Sequence, residues 1–257
     1  MIQEERLNNI VEFLKKYNTA KLNELSELND VSLDTVRRDL KRLEQLGVLQ
    51  RVRGGAINHD INLPTLAFDV RSIVNSREKK ELASLIKDFV IDGQTIAINS
   101  GTTNLEVARV LAENFNSLTV ITNDLHIIKM LSAKKNFVVI VPGGVVDPDE
   151  DAIFGDSCER DISKYNADMA ILAVNAISME KGITDFRLNQ AGIMETMKEI
   201  AKEVFVVADF SKFGRTSSMN IFPLSEIDYI VSDSKFPHEY RQSLEAVGIR
   251  VVTPQTP

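Results

Sequence analysis

Seven short apolar runs, TIAIN, TVIT, FVVIV, MAILAV, VFVVA, YIV and VVT, recur from residue 95 onward, separated by segments with helical periodicity. A short apolar run bounded by turn residues reads as a buried strand, and strands alternating with helices assemble into a largely parallel sheet. A helix over residues 79–90, with Leu82, Leu85, Ile86 and Phe89 on one side, leads into the series. The spacing therefore predicts an α/β domain over residues 75–257.

Ligands of such sheets bind beyond the carboxyl ends of the strands, so candidate binding residues lie there. The first run passes through Asn99, Ser100, Gly101, Thr102 and Thr103 directly into the helical pattern NLEVARVLAENF. Gly101 permits a tight turn, the hydroxyls are hydrogen-bonding groups, and the free amides of a helix start suit an anion such as phosphate. Taken alone, a Ser-Gly-Thr-Thr turn reads somewhat more readily as a helix cap than as a ligand site. The second run ends in Thr122 and Asn123, and VFVVA ends in Asp209, Ser211 and Lys212, which group a carboxylate, a hydroxyl and an ammonium.

The first 57 residues follow a different pattern. Leu7, Ile10, Val11 and Leu14 define an amphipathic helix, and Leu22, Leu25 and Leu28 mark a short second one. A third begins with Ser32 as N-cap and Asp34 in its first turn, and ends at Gly47. With Leu33, Val36, Leu40, Leu43 and Leu46 turned inward, its outer face carries Thr35, Arg37, Arg38, Lys41 and Arg42. The following VLQRVRGGAI reads as a hairpin bearing Arg51 and Arg53. A basic face opposite an apolar stripe is, by itself, most often simply solvated. Here a tight turn, a capped third helix and a basic hairpin coincide, which makes a winged helix-turn-helix whose third helix enters a DNA major groove.

Charge supports two domains with different partners. Residues 1–58 hold 10 basic and 9 acidic side chains, whereas the remainder holds 20 basic and 28 acidic, for a net charge of -7 overall. DNA affinity must then come from the local arginine cluster rather than from bulk charge. At 44% hydrophobic and 26% charged, large-scale disorder is not expected. No apolar run approaches the roughly 20 residues of a membrane span, and MIQEERLNNIVEFLKK lacks the pattern of an export signal. One cysteine, Cys158, fits a reducing cytoplasm. His59, His126 and His238 lack metal-ligand spacing, and neither GxxxxGK nor GxGxxG occurs, so no metal or cofactor is expected. Residues 58–74, containing Pro64, lose periodicity and read as a connection.

Arg6, Leu7, Ile10 and Leu14, then VSLDTVRRDL and a wing ending in Gly54 and Gly55, resemble the N-terminal signature of the DeoR family of bacterial transcription regulators. NSGTTNLEVA, ITND, PGGVV, KGITDF and ADFSKFG, in that order, resemble the family's effector domain, so the likeness covers nearly the whole chain. That resemblance implies a fold related to ribose-5-phosphate isomerase, repression of sugar or polyol catabolic genes, and release by a phosphorylated sugar. It also implies that residues 100–103 hold phosphate or sugar oxygens, that Thr122 and Asn123 contact the ligand, and that Lys212 neutralises it. The chain departs from many members at Asn99, where they carry Asp, and at Gln190 and Met194, where they carry Glu and Lys. The alternative reading is an isomerase-like enzyme with an N-terminal interaction domain. Proton transfer between adjacent carbons calls for a base, usually Glu, which Gln190 does not supply. The expectation is thus a homo-oligomeric, non-enzymatic DNA-binding regulator.

Overall fold

The computed structural model describes residues 2–58 and 68–254. Contacts divide the chain into two units, Met1–Arg77 and Glu78–Pro257.

In the first unit, α1 (Gln3–Tyr17), α2 (Leu22–Asn29) and α3 (Leu33–Gln45) enclose Leu7, Ile10, Leu14, Leu25, Val36, Leu40 and Leu43. Each such side chain contributes about 1.5–3 kcal/mol on burial, which is what holds helices this short. α1 ends on Asn18 in the left-handed conformation, its N–H bonded to the Leu14 carbonyl at 2.8 Å. The expected hairpin forms from β2 (Leu49–Val52) and β3 (Gly55–Asn58). A third strand, β1 (Thr19–Lys21), pairs with β3 where the sequence suggested only a break. Gly55 permits that pairing, because a Cβ there would stand 2.0 Å from the Ala20 carbonyl oxygen. Leu33 departs from the expected inward stripe: it is exposed, and α3 buries Val36, Asp39, Leu40 and Leu43 instead.

Residues 68–74 fall in the span expected to be a connection. They form α4 (Phe68–Ile73) and its adjoining turn, because Val70, Ile73 and Val74 lie at helical spacing and join the core around α1. His59 and Pro64 lie outside the described residues.

The second unit is built on seven parallel strands: β4 (Thr95–Ile98), β5 (Thr119–Thr122), β6 (Val138–Ile140), β9 (Ala167–Ala173), β12 (Ala201–Val207), β14 (Tyr229–Val231) and β15 (Arg250–Val252). Their order across the sheet is β15-β14-β12-β9-β4-β5-β6. Ile96 and Ile98 face one side with α5 (Ser76–Leu85), α6 (Thr102–Asn114) and α7 (Leu125–Leu131), while Ala97 faces the other with α8 (Asp156–Ile162) and α9 (Gln190–Glu199). Burial on both faces is why these strands read as continuous apolar runs. The pre-sheet helix stops at Leu85, and a 3-10 turn, Ile86–Asp88, completes it.

Two antiparallel additions were not expected: the hairpin of β7 (Val145–Asp147) and β8 (Ala152–Phe154), and the sheet β10-β11-β13, made of Ala176–Ser178, Gly182–Asp185 and Met219–Phe222. α10 (Arg241–Ala246) precedes the last strand. After β4 the chain runs outward through β5 and β6, then returns to β9 on the other side. The β4–β9 boundary is therefore the topological switch point, the place where such sheets take ligands.

Candidate functional site

The outer face of α3 is as expected, with Arg37, Arg38, Lys41 and Arg42 exposed and Thr35 half-buried. Ser32 caps the helix, accepting from the Thr35 N–H at 3.3 Å and lying 3.0 Å from the Thr35 hydroxyl. Arg37 pairs with Asp34, Arg38 reaches Thr35 Oγ1 at 3.3 Å, and Arg42 donates to Gln3 Oε1 at 3.0 Å. These surface contacts are weak enough to exchange for phosphate. In the wing, Arg51 donates to Glu44 through its backbone amide at 2.9 Å and its guanidinium at 2.6 Å, which together hold the Glu44 carboxyl below its usual range. Lys41 and Arg53 have no ion-pair partner among the described residues.

Beneath this face lies a pair the sequence did not disclose. Asp39, inside the basic run, is buried and accepts from Arg6 at 2.8 and 3.2 Å and from Gln3 at 3.3 Å. The pair joins α1 to α3.

In the second unit, the carboxyl ends of β4, β5, β9, β12 and β14 share one edge of the sheet, since all pairings are parallel. Several residues expected to meet a ligand are engaged in hydrogen bonds within the protein. Asn99 is fully buried; its Nδ2 donates to the Ala173 carbonyl at 3.0 Å, and its Oδ1 accepts from the Ala173 N–H at 2.8 Å and from Asn104 Nδ2 at 2.7 Å. Only a neutral amide both donates and accepts there, so Asn99 stitches β4 to β9 across the switch point. Asn123, also buried, accepts from the Ser100 N–H at 3.0 Å and donates to the Ile153 carbonyl at 3.0 Å. Thr122 Oγ1 accepts from the Asp124 N–H at 3.2 Å.

Asp124, which sequence reasoning passed over, caps α7 by accepting from the His126 and Ile127 amides at 2.8 and 3.0 Å, and takes the Gly101 N–H at 3.2 Å. Burial pushes its carboxyl above the usual range, although these hydrogen bonds oppose the shift. Two amides of the expected anion cradle, those of Ser100 and Gly101, are therefore already satisfied. Those of Thr102, Thr103 and Asn104 remain at the start of α6, where an α-helix leaves N–H groups without an internal acceptor. Gly101 sits where a Cβ would approach Ala173 Cβ to 3.1 Å.

Gln190, at the start of α9, donates through Nε2 to the Ser100 hydroxyl and to its carbonyl at 3.0 Å. It offers no ionisable base, and Met194 is buried in the core. The β12 end holds Asp209, buried, accepting from the Ser211 N–H at 2.9 Å and from its hydroxyl. Burial alone would raise its pKa. The ammonium charges of Lys212 and Lys79 and the Ser211 bonds outweigh that and hold it below the usual range. Lys79, on α5, is a buried cation that sequence reasoning also missed. Asp233, beyond β14, accepts from the Phe210 and Lys235 amides at 2.7 and 2.9 Å, and burial raises its pKa. Arg187 is buried between Asp185 at 2.7 Å and Glu150 at 3.2 Å; burial disfavours its charge, but the two carboxylates more than restore it.

The carboxyl ends thus present hydroxyls and helix-start amides at β4, and the ammonium groups of Lys212 and Lys79 around Asp209 beyond β12, two strands away in the sheet order. No group of three or more His, Cys, Asp or Glu side chains is placed to hold a metal ion among the described residues. No described helix is long and apolar enough to cross a membrane.

Comparison with known proteins agrees across the chain. The model of the DeoR-like helix-turn-helix domain matches residues 6–61, and that of the DeoR C terminal sensor domain matches residues 74–234. The HTH-type transcriptional repressor CsqR of Escherichia coli is 32% identical over 91% of this chain and 89% of its own. The HTH-type transcriptional repressor GlcR of Bacillus subtilis is 32% identical over 98% of this chain and 96% of its own. The glycerol-3-phosphate regulon repressor of Escherichia coli is 30% identical over 95% of this chain and 96% of its own. Among solved structures, ribose 5-phosphate isomerase A of Methanocaldococcus jannaschii aligns with 54% of this chain and 55% of that chain, at 15% identity and a TM-score of 0.40. Matched by both family models and by relatives that are named transcriptional repressors along nearly their full length, the chain belongs to the DeoR family of DNA-binding transcription regulators.

Proposed function

We propose that this regulator represses genes for the use of a sugar or polyol, and that a phosphorylated metabolite seated at the carboxyl edge of the seven-stranded sheet releases it from its operator. One observation carries the reading: helix-start amides of α6 and the Lys212 and Lys79 charges around Asp209 gather at the carboxyl ends of β4 and β12, where an anionic ligand of such sheets sits. The phosphate takes the amides of Thr102, Thr103 and Asn104 and the hydroxyls of Ser100, Thr102 and Thr103. Lys212 and Ser211 meet the other end. Asn99, Thr122, Asn123 and Asp209 hold these groups in place. The relative named for the glycerol-3-phosphate regulon supports a phosphorylated effector of this class.

On the DNA side, Thr35, Arg37, Arg38, Lys41 and Arg42 divide between base edges and phosphates, and Arg51 and Arg53 bring the wing to the backbone. Two or more copies act on paired half-sites in the cytoplasm, and effector and operator weaken each other's binding by the same factor. A thermal-shift series with sugars and polyols, each with and without phosphate, tests the effector class. At 100 times Kd a true effector adds about 2.7 kcal/mol of stability. Stabilisation by phosphorylated members alone is expected. Equal stabilisation by unphosphorylated partners, or by none, overturns the assignment.

A further inference from the structure

Gln190, the first residue of α9, has no solvent exposure, and its side-chain amide is only half satisfied. Nε2 donates to the Ser100 carbonyl at 3.0 Å and to the Ser100 hydroxyl oxygen. A carbonyl can only accept, so the amide nitrogen and not the oxygen must face it, and the two donations use both amide hydrogens. Oε1 is left buried with no hydrogen-bond partner among the described residues. A buried acceptor without a donor is costly, and native proteins leave few of them, so this one calls for a donor from outside the chain.

The surroundings supply none. Ile193, Met194 and Met197, on the following turns of α9, are buried in the apolar core. Ser100 already accepts from Nε2, and it immediately precedes Gly101 and the start of α6, where the reading above seats the phosphate. The approach to Gln190 is open, because Leu188 and Asn189, the two residues leading into it, are exposed.

We propose that Gln190 is a specificity-determining residue of the effector site, its Oε1 accepting a hydrogen bond from a hydroxyl of the phosphorylated ligand once the exposed loop at Leu188 and Asn189 gives way. The choice among ligand groups follows from the proton. An alcohol brings one to donate. A carbonyl or carboxylate at the same carbon sets oxygen against oxygen, and a deoxy carbon leaves the buried acceptor unpaired. The site therefore takes a sugar or polyol phosphate with a hydroxyl at that carbon and rejects its keto, acid and deoxy counterparts. The inference rests on the reading of the carboxyl ends as an effector site and narrows the ligand within that class.

Isothermal titration calorimetry of the full chain with three- to six-carbon sugar and polyol phosphates, and with their deoxy and keto counterparts, tests it on wild type, Gln190→Met and Gln190→Glu. Circular dichroism verifies the fold of each. In the wild type, one hydroxyl is expected whose removal or oxidation weakens binding by roughly tenfold or more. The same change should weaken binding to Gln190→Met, which keeps the length but lacks a strong acceptor, by less than about threefold. Gln190→Glu keeps an acceptor oxygen and should keep the preference. If no single hydroxyl matters to the wild type, or if its loss costs wild type and Gln190→Met alike, the inference is overturned while the effector reading stands. If no phosphorylated member binds the wild type, both fall.

Discussion

Replacing Arg6 by alanine should lower the melting transition of the N-terminal unit by roughly 8–24 °C and leave that of the larger unit in place. Asp39 is buried and takes two of its three side-chain hydrogen bonds from Arg6, at 2.8 and 3.2 Å. Breaking a buried pair from one side costs about 3–5 kcal/mol, because the remaining charge stays desolvated. Arg6 retains 13% side-chain exposure and Gln3 remains as a donor, so water and one hydrogen bond recover part of this, leaving about 2–3 kcal/mol. For a unit of 77 residues each kcal/mol moves Tm by about 4–8 °C, which gives the stated range. Arg6→Lys keeps a point charge but loses the forked donor geometry, and should fall between wild type and alanine. Differential scanning calorimetry resolves the two transitions. A shift under about 2 °C in the first, or an equal shift in the second, would refute the reasoning.

Three further outcomes are expected. Lys41→Ala with Arg53→Ala should weaken binding to specific and nonspecific DNA alike and reduce the log–log salt slope by roughly 2, as read by fluorescence anisotropy at several salt concentrations. Asp209 has a pKa held below the ordinary carboxylate value, so its ionised form stabilises the fold above that value, and the contribution fades as pH falls through the folded-state pKa. Asp209→Asn should therefore be less stable than wild type at neutral pH, with the gap closing below about pH 4, in urea titrations across pH. Burial, with the charges of Glu159 and Asp161, raises the Cys158 pKa to about 12, so a thiol reagent at pH 8 should label it only after denaturation.

The elements that depend on local pattern were legible in the sequence. The Leu7–Ile10–Leu14 spacing gave α1, Ser32 marked the start of α3, and the apolar runs located all seven parallel strands. β1 was missed because three residues with only Ala20 buried carry no period. α4 was hidden in a segment whose apolar residues are legible only against the α1 face they cover.

At the candidate sites, residue type marked polar loops at the strand ends, but the hydrogen bonds these residues make within the protein were not legible. Arg6 and Asp39 are 33 residues apart, Asn99 and Ala173 are 74 apart, and Ser100 and Gln190 are 90 apart. A polar side chain at a strand end looks the same in sequence whether its partner is a ligand or a distant backbone amide, and only the fold decides. Asp124, Lys79 and Asp233 were overlooked for the same reason.

The most direct test of the account is a fluorescence-anisotropy titration of the full protein onto labelled promoter DNA from its own operon, repeated with the phosphorylated metabolite and with its unphosphorylated counterpart. The account predicts sequence-specific binding that weakens steeply with salt and is reversed by the phosphorylated compound alone. Binding that ignores both compounds, or that does not distinguish promoter from unrelated DNA, would contradict it.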